Sequence, residues 1–449
     1  QRISQADYHL EDYAREMAFE GARLARIECD KFSTPDKPRF VAGDVGPTNK
    51  TCSMSPDVSD PAAREITYDE LFTDVCEQVD GLIEGGADVI LIETIFDTLN
   101  CKAMIDAAIT MMKKHGVELP IMISLTVSDL AGRTLSGQTV DAFLASLSPY
   151  PIFSVGMNCA FGAPQMKPFI EHLAKVAPYY ISAHPNAGLP NEMGQYDETA
   201  ESMAPQIAEF IDEGIVNIIG GCCGTSPEFI AHYARSAEGK KPHQVVEKPK
   251  YMWLSGLDLL QVDDSVHLPV DASRFVNVGE RCNVAGSRKF LRLINEKGYE
   301  EAIGIARKQV ADGAAVVDVN MDDGLLDAKA EMVNFLNMIA AEPEIAKVPV
   351  MIDSSKWDVI LAGLKCCQGK CIVNSISLKE GEEVFLSHAR DVMRYGAAVV
   401  VMCFDEVGQA TTYERRIEIA GRAYHLLVDK LGMNPLDIIF DPNVLAIAT

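Results

Sequence analysis

Short apolar runs alternate with longer amphipathic stretches along nearly the whole chain. This alternation limits the fold more than any other feature. Residues 39–44, 88–93, 120–125, 152–155, 179–183 and 216–219 read as buried strands. Helical periodicity fills the gaps at 68–84, 98–114, 139–147, 166–176 and 203–213. One more helix is predicted before the first strand, at 8–28, and one after the last, at 227–237. Strands in strict alternation with helices mean parallel βα units, because a parallel connection needs a crossover and the helix supplies it.

A second series of the same kind follows. Its strands are predicted at 274–279, 315–320, 348–353, 371–376, 397–402 and 437–441, with helices such as 300–312 and 357–364. Between the series the pattern lapses, and Lys-Pro pairs at Lys241-Pro242 and Lys248-Pro249 read as surface linker. Residues 253–262 add a short strand or cover an edge. The expected organisation is therefore a domain at 1–237, a linker at 238–270 and a domain at 271–449. The expected fold class is α/β, as two tandem (β/α)8 barrels. In that reading the first barrel lacks its opening strands and the second its closing ones, as in a piece of a longer polypeptide that begins at Gln1. A doubly wound open sheet is the alternative.

The composition of 48% apolar and 23% charged residues is that of a globular protein, and no apolar run is long enough to span a membrane. A formal net charge of −25 argues against nucleic acid or an anionic membrane as partner. The 12 cysteines have no small-domain disulfide spacing, so a reducing cytoplasm is expected and the thiols are available for metal.

Three of those thiols stand at strand ends. Cys222 and Cys223 lie in Gly220-Gly221-Cys222-Cys223-Gly224, just after the strand at 216–219, and Cys159 lies in Gly156-Met157-Asn158-Cys159. Neighbouring side chains on a regular strand point to opposite faces, but the flanking glycines permit a turn that aims both sulfurs at one point. Three thiolates with one open position make a tetrahedral zinc site, whereas separate buried thiols are the alternative. Zinc with three thiolates is a poor activator of water but a good holder of a fourth, substrate thiolate. Glu93 ends its strand at the same mouth, where it either binds a substrate ammonium or caps a helix.

These segments carry a resemblance. Gly43-Asp44-Val45-Gly46-Pro47-Thr48-Asn49, Ile90-Leu91-Ile92-Glu93-Thr94, the Cys159 segment, Pro185-Asn186-Ala187-Gly188 and the Cys222-Cys223 doublet resemble the zinc-dependent homocysteine methyltransferases. The resemblance implies that Cys159, Cys222 and Cys223 bind Zn2+ and carry the chemistry. It also implies that Glu93 holds the amino group of homocysteine.

In the second series, polar residues crowd the strand ends: Glu280, Asn320, Asp322, Asp353, Asn374, Asp405 and Asp441. Such a set suits a flat heterocycle with a donor–acceptor edge, or is a row of helix N-caps. Gly279-Glu280-Arg281-Cys282-Asn283, Asp318-Val319-Asn320, Ile352-Asp353-Ser354-Ser355, Val373-Asn374-Ser375 and Phe440-Asp441-Pro442-Asn443 resemble the pterin-binding barrel. That family includes dihydropteroate synthase and methyltetrahydrofolate methyltransferases. The resemblance implies that Asp353, Asn374 and Asp441 grip a pterin with Asn320 beside them. It further implies that Gly286-Ser287-Arg288 lies along the folate.

Cys366-Cys367 with Cys371 is read as a decoy at the opposite barrel face, and His184 as structural. The order of the two barrels is similar to that in cobalamin-dependent homocysteine methyltransferases. It implies 5-methyltetrahydrofolate as methyl donor, homocysteine as acceptor and cobalamin on a module outside this chain. A homocysteine methyltransferase with a betaine-like donor, and a non-catalytic folate- or zinc-binding subunit, are the alternatives.

Overall fold

A computed structural model describes residues 1–262 and 275–444. The chain divides into two compact units, one of residues 1–51, 68–140 and 151–249, the other of 52–67, 141–150 and 250–449. The start of the predicted strand at 274–279, the end of the predicted linker and the boundary at 270/271 touch or fall outside the described residues.

The first unit holds one parallel sheet: β1 (Ala42–Val45), β2 (Val89–Ile95), β3 (Ile121–Leu125), β4 (Ser154–Asn158), β5 (Tyr180–His184) and β6 (Ile218–Ile219). Their spatial order is the sequence order, β1-β2-β3-β4-β5-β6, all in parallel pairs. A doubly wound sheet reverses its order at a switch point. Here no reversal occurs, so the strands curl in succession as in a TIM-type barrel. The helices Tyr68–Glu84 and Thr98–His115 follow β1 and β2. Asp97 starts the second of these by accepting from the backbone N–H groups of Leu99 and Asn100. Gly116, at φ 65°, ends it in the left-handed conformation that glycine adopts without cost. The sheet's outer face is apolar, with Ile90, Ile92 and Ile123 fully buried. Each such side chain stabilises the fold by about 1.5–3 kcal/mol relative to exposure.

The second unit repeats the plan. A hairpin of β7 (Met252–Ser255) and β8 (Leu259–Val262) precedes β9 (Val278–Asn283), β10 (Val316–Asn320), β11 (Val350–Asp353), β12 (Ile372–Ile376) and β13 (Ala398–Met402). After the short antiparallel pair β14 (Phe404–Asp405) and β15 (Gly408–Gln409) comes β16 (Ile438–Asp441). The main sheet runs β9-β10-β11-β12-β13-β16 and is parallel throughout. The fold class is therefore α/β with two TIM-type units.

One local difference from expectation has a physical cause. The helix predicted at 8–28 is instead a pair of tight turns followed by the helix Ala14–Phe32. His9 sits at φ 57°, which stops a right-handed helix. The hairpin β7–β8 supplies the short strand expected at 253–262. Leu254 packs with Val316, Met351, Ile372 and Ala398, near the N-terminal ends of four strands of its unit. No helix among the described residues is long and apolar enough to cross a membrane.

Candidate functional site

In the first unit the chemistry collects at the C-terminal strand ends. Cys159 follows β4 directly, and both it (φ 58°) and Ala160 (φ 54°) take the left-handed conformation, uncommon for non-glycine residues. The kink takes the sulfur out of the strand's alternation. Gly156, four residues from the end of the turn, lets β4 approach β5: a Cβ there would lie 1.9 Å from the Ser182 carbonyl oxygen. The doublet is held by backbone bonds from Cys222 N–H to Pro185 O (2.9 Å) and from Ala187 N–H to Cys223 O (2.9 Å). The Cys223 N–H donates to Asn186 Oδ1 at 3.1 Å.

The result is a cluster of three sulfurs. Cys159 Sγ lies 3.5 Å from Cys223 Sγ, and Cys222 Sγ lies 4.0 Å from Cys223 Sγ. All three fall within 4.8 Å of one another. Ligands about 2.3 Å from a tetrahedral zinc stand about 3.8 Å apart. The thiols therefore fit such an ion with little movement, and their donor set is the one zinc favours. A hydrogen bond from Cys159, helped by the Asn158 amide and opposed by burial, pulls the Cys222 thiol down to about 6. Its partner Cys159 is pushed up, first by that hydrogen bond and then by burial. The cluster thus favours the thiolate at Cys222, and the Tyr196 phenol bonds Cys223 from the loop above.

Beside the sulfurs, the buried Asn158 joins several groups. Its Nδ2 donates to Glu93 Oε2 at 2.6 Å and to Thr94 Oγ1 at 2.6 Å, and lies 3.8 Å from Cys222 Sγ. Its Oδ1 accepts from Ser124 Oγ (2.7 Å) and Thr94 N–H (3.0 Å). Thr94 Oγ1 also donates to Glu93 Oε2. Glu93 is thereby held through one oxygen beside the thiols. Asp44, at the end of β1, is open to solvent on one side. Partial burial, followed by the charges of Glu93 and Cys222, pushes its carboxyl up to about 7. Asn158, Thr94, Asn186, Tyr196 and Asp44 were not among the sequence-predicted site residues. Asn158 and Thr94 sit beside Cys159 and Glu93 in the chain, which was the available signal.

A second acid–base group, Asp80 with Glu84 and His115, also lies within ligand distance on the outer helices. It is an ion-pair network. Arg15 Nε reaches Asp80 at 2.8 Å, Lys114 Nζ at 2.6 Å and His115 Nε2 at 2.8 Å. Two fixed cations on the carboxylate leave no place for a metal ion. Near the bottom of β12, an apolar cavity of about 50 Å³ is lined by Cys366, Cys367 and Cys371. Those three cysteines do not converge as ligands among the described residues. His184 has its ring beside Gly220, and burial lowers its pKa to about 4.

In the second unit, strand register builds a row. Asn283 pairs with Asn320, Asn320 with Asp353, and Asp353 with Asn374 across β9 to β12. Asp353 Oδ2 accepts from Asn320 Nδ2 at 2.9 Å, with Asn283 Nδ2 at 3.5 Å. Below the row lies Asp318, only 2% exposed. Burial, then the neighbouring Asp353, pushes its carboxyl up to about 8, against a hydrogen bond to Asn374. Burial also raises Asp353. Asp441 ends β16, one strand beyond Asn374's neighbour β13, and accepts from Asn443 N–H at 2.8 Å. Gly286 N–H donates to Asn283 Oδ1 at 2.9 Å, Ser287 caps the helix Arg288–Asn295, and Arg288 is exposed. Asn283 and Asp318 were missed, although Asp318 stands two residues before Asn320 and so faces the same way.

Two members of the polar crowd serve local structure instead. Asp322 accepts from Ser354 Oγ at 2.6 Å and Ser355 N–H at 2.6 Å. Asp405 pairs with Arg415.

Residues 1–237 match the family described as homocysteine S-methyltransferase, and residues 279–449 match that described as pterin binding enzyme. Among solved structures, the apo form of the homocysteine methyltransferase MmuM from Escherichia coli is similar at 20% identity. The match covers 50% of this chain and 74% of that one, with a TM-score of 0.38. The metallated form of that enzyme matches at 20% identity over 52% and 76%, with a TM-score of 0.39. An HPPK-DHPS of Plasmodium falciparum matches at 16% identity over 48% and 37%, with a TM-score of 0.31.

Proposed function

The chain belongs to the homocysteine S-methyltransferase family, and from that premise we propose that it carries the homocysteine and folate sites of a cobalamin-dependent methionine synthase. In this reading residues 1–237 bind homocysteine, 238–270 link, and 271–449 bind 5-methyltetrahydrofolate. Cobalamin, the methyl carrier implied between the two sites, belongs to a module outside this chain. Methionine is the product, made in the cytoplasm.

Cys159, Cys222 and Cys223 are the residues for Zn2+, and the observation that carries this is their sulfur spacing of 3.5 and 4.0 Å. Zinc bound there would acidify the thiol of homocysteine and hold it as the thiolate, the form that attacks a methyl group. The protein's own groups orient the rest of the substrate. Glu93 receives the ammonium, and Asn158 fixes Glu93 relative to the sulfurs by bonding to both. In the second site Asp353, Asn374 and Asp441 take the pterin's N–H edge and carbonyl, with Asn320 supporting Asp353. Gly286, Ser287 and Arg288 lie along the folate tail, where Arg288 is exposed and available to its carboxylates.

The test is zinc content. The purified chain should hold about one zinc, Cys222→Ser should lose it and Cys366→Ser should keep it. Equal zinc in both variants by elemental analysis would falsify the assignment.

A further inference from the structure

One carboxylate in the first site has no part in the reading above. Asp44 lies on β1, whose residues alternate between two faces. Val45 is fully buried, and a Cβ at Gly43 would lie 3.0 Å from Ala87 Cβ and 3.2 Å from Leu82 Cβ, so both face the outer helices. Asp44 therefore faces the inner side. On β2 the outward residues are Ile90 and Ile92, both fully buried, which turns Leu91 and Glu93 inward. Asp44 is level with Leu91, so Glu93 stands just above Asp44 on the adjoining strand. The two carboxylates meet over Gly46, whose Cβ position lies 3.3 Å from Glu93 Oε1 and 3.9 Å from Asp44 Oδ2.

The two oxygens of Glu93 have different surroundings. Oε2 is taken by Asn158 and Thr94. Oε1 is the one turned toward Gly46 and Asp44. Among the described residues neither Asp44 nor Glu93 has a Lys, Arg or His within ion-pair distance, although such pairs are frequent elsewhere in the unit. Like charges placed this close repel unless a cation lies between them. A side chain at Gly46 would fill part of the space between them, and glycine leaves it empty.

We propose that Asp44 is a specificity-determining residue that shares the substrate ammonium with Glu93, so that the site selects thiols bearing an α-amino group. The inference rests on the homocysteine reading of the thiol cluster and extends it. An ammonium has three N–H donors, and one carboxylate oxygen satisfies only one of them well. Glu93 Oε1 takes one and Asp44 takes a second, across the space above Gly46. A thiol with a carboxylate but no amine gains nothing from the pair.

The experiment uses the zinc-loaded 449-residue chain and two ligands of one chain length, L-homocysteine and 4-mercaptobutanoate, which lacks the amine. Affinity is read by calorimetry and zinc by elemental analysis. Asp44→Asn should weaken homocysteine by about ten- to a hundredfold, the range of a charge-assisted hydrogen bond. It should leave 4-mercaptobutanoate binding and zinc content unchanged. Unchanged homocysteine affinity overturns the proposal, and so does an equal loss for both thiols, which would place Asp44's effect at the sulfur end. If the unsubstituted protein holds zinc but binds neither thiol, the homocysteine reading itself falls, and this inference with it.

Discussion

Asp318 shows how one residue can link pH to stability. Its folded carboxyl is raised to about 8 by burial and by Asp353, whereas an unfolded aspartate titrates near about 3.9. A raised folded value means that the neutral form is favoured in the fold. Its stabilising contribution is complete below about pH 4 and is lost as pH rises through about 8. Asp318→Asn mimics the neutral acid. Its melting temperature should match that of the parent at pH 4 and exceed it at pH 8, and a parallel pH dependence in the two proteins would refute this. Asp318 was hidden in the sequence for a physical reason. Its importance comes from sitting under Asp353 and against Asn374, which is a matter of register between strands far apart in the chain. Cys159, Cys222, Cys223 and Glu93 were legible because each ends an apolar run, where a barrel displays its chemistry. Asn158 was not, since asparagine beside a strand end reads equally well as a cap.

At the scale of elements, the strands were legible as existing but not in their limits. The strand predicted at 216–219 shortens to Ile218–Ile219, because Asn217 turns its side chain to the Ile181 N–H of the neighbouring strand at 2.8 Å. That at 152–155 shifts forward to Ser154–Asn158, which brings Asn158 into the sheet and leaves Cys159 on the turn. Pairing partners set such limits, and a single segment does not contain them. The contact between β4 and β5 gives a sharp prediction. Gly156→Ala would put a methyl 1.9 Å from the Ser182 carbonyl oxygen and 2.1 Å from its hydroxyl. Overpacking typically costs about 1–3 kcal/mol, and here backbone rather than a flexible side chain must yield, so the upper end or beyond is expected. Denaturant unfolding should show that loss. A variant within about 0.5 kcal/mol of the parent would mean that the strands separate easily.

For the whole molecule, the central claim is that each half-reaction has its own unit. Cys159, Cys222, Cys223, Glu93 and Asn158 all belong to the first, and Asn283, Asp318, Asn320, Asp353 and Asn374 all to the second. No residue placed in one site is drawn from the other unit. The tandem arrangement itself was legible, since two series of βα units separated by a lapse in periodicity describe two barrels. The short strand or edge cover expected at 253–262 is present as β7–β8, and its packing on Val316, Met351, Ile372 and Ala398 was not legible, because it depends on strands far away in the chain. The most direct measurement assays the two half-reactions separately with free corrinoid. One is methyl transfer from methylcobalamin to homocysteine, the other demethylation of 5-methyltetrahydrofolate by cob(I)alamin. Cys223→Ser should abolish the first and leave the second nearly intact, while Asp353→Ala should do the reverse, with folding of both variants checked by melting. If either substitution stops both half-reactions in a folded protein, the division of labour between the two units is wrong.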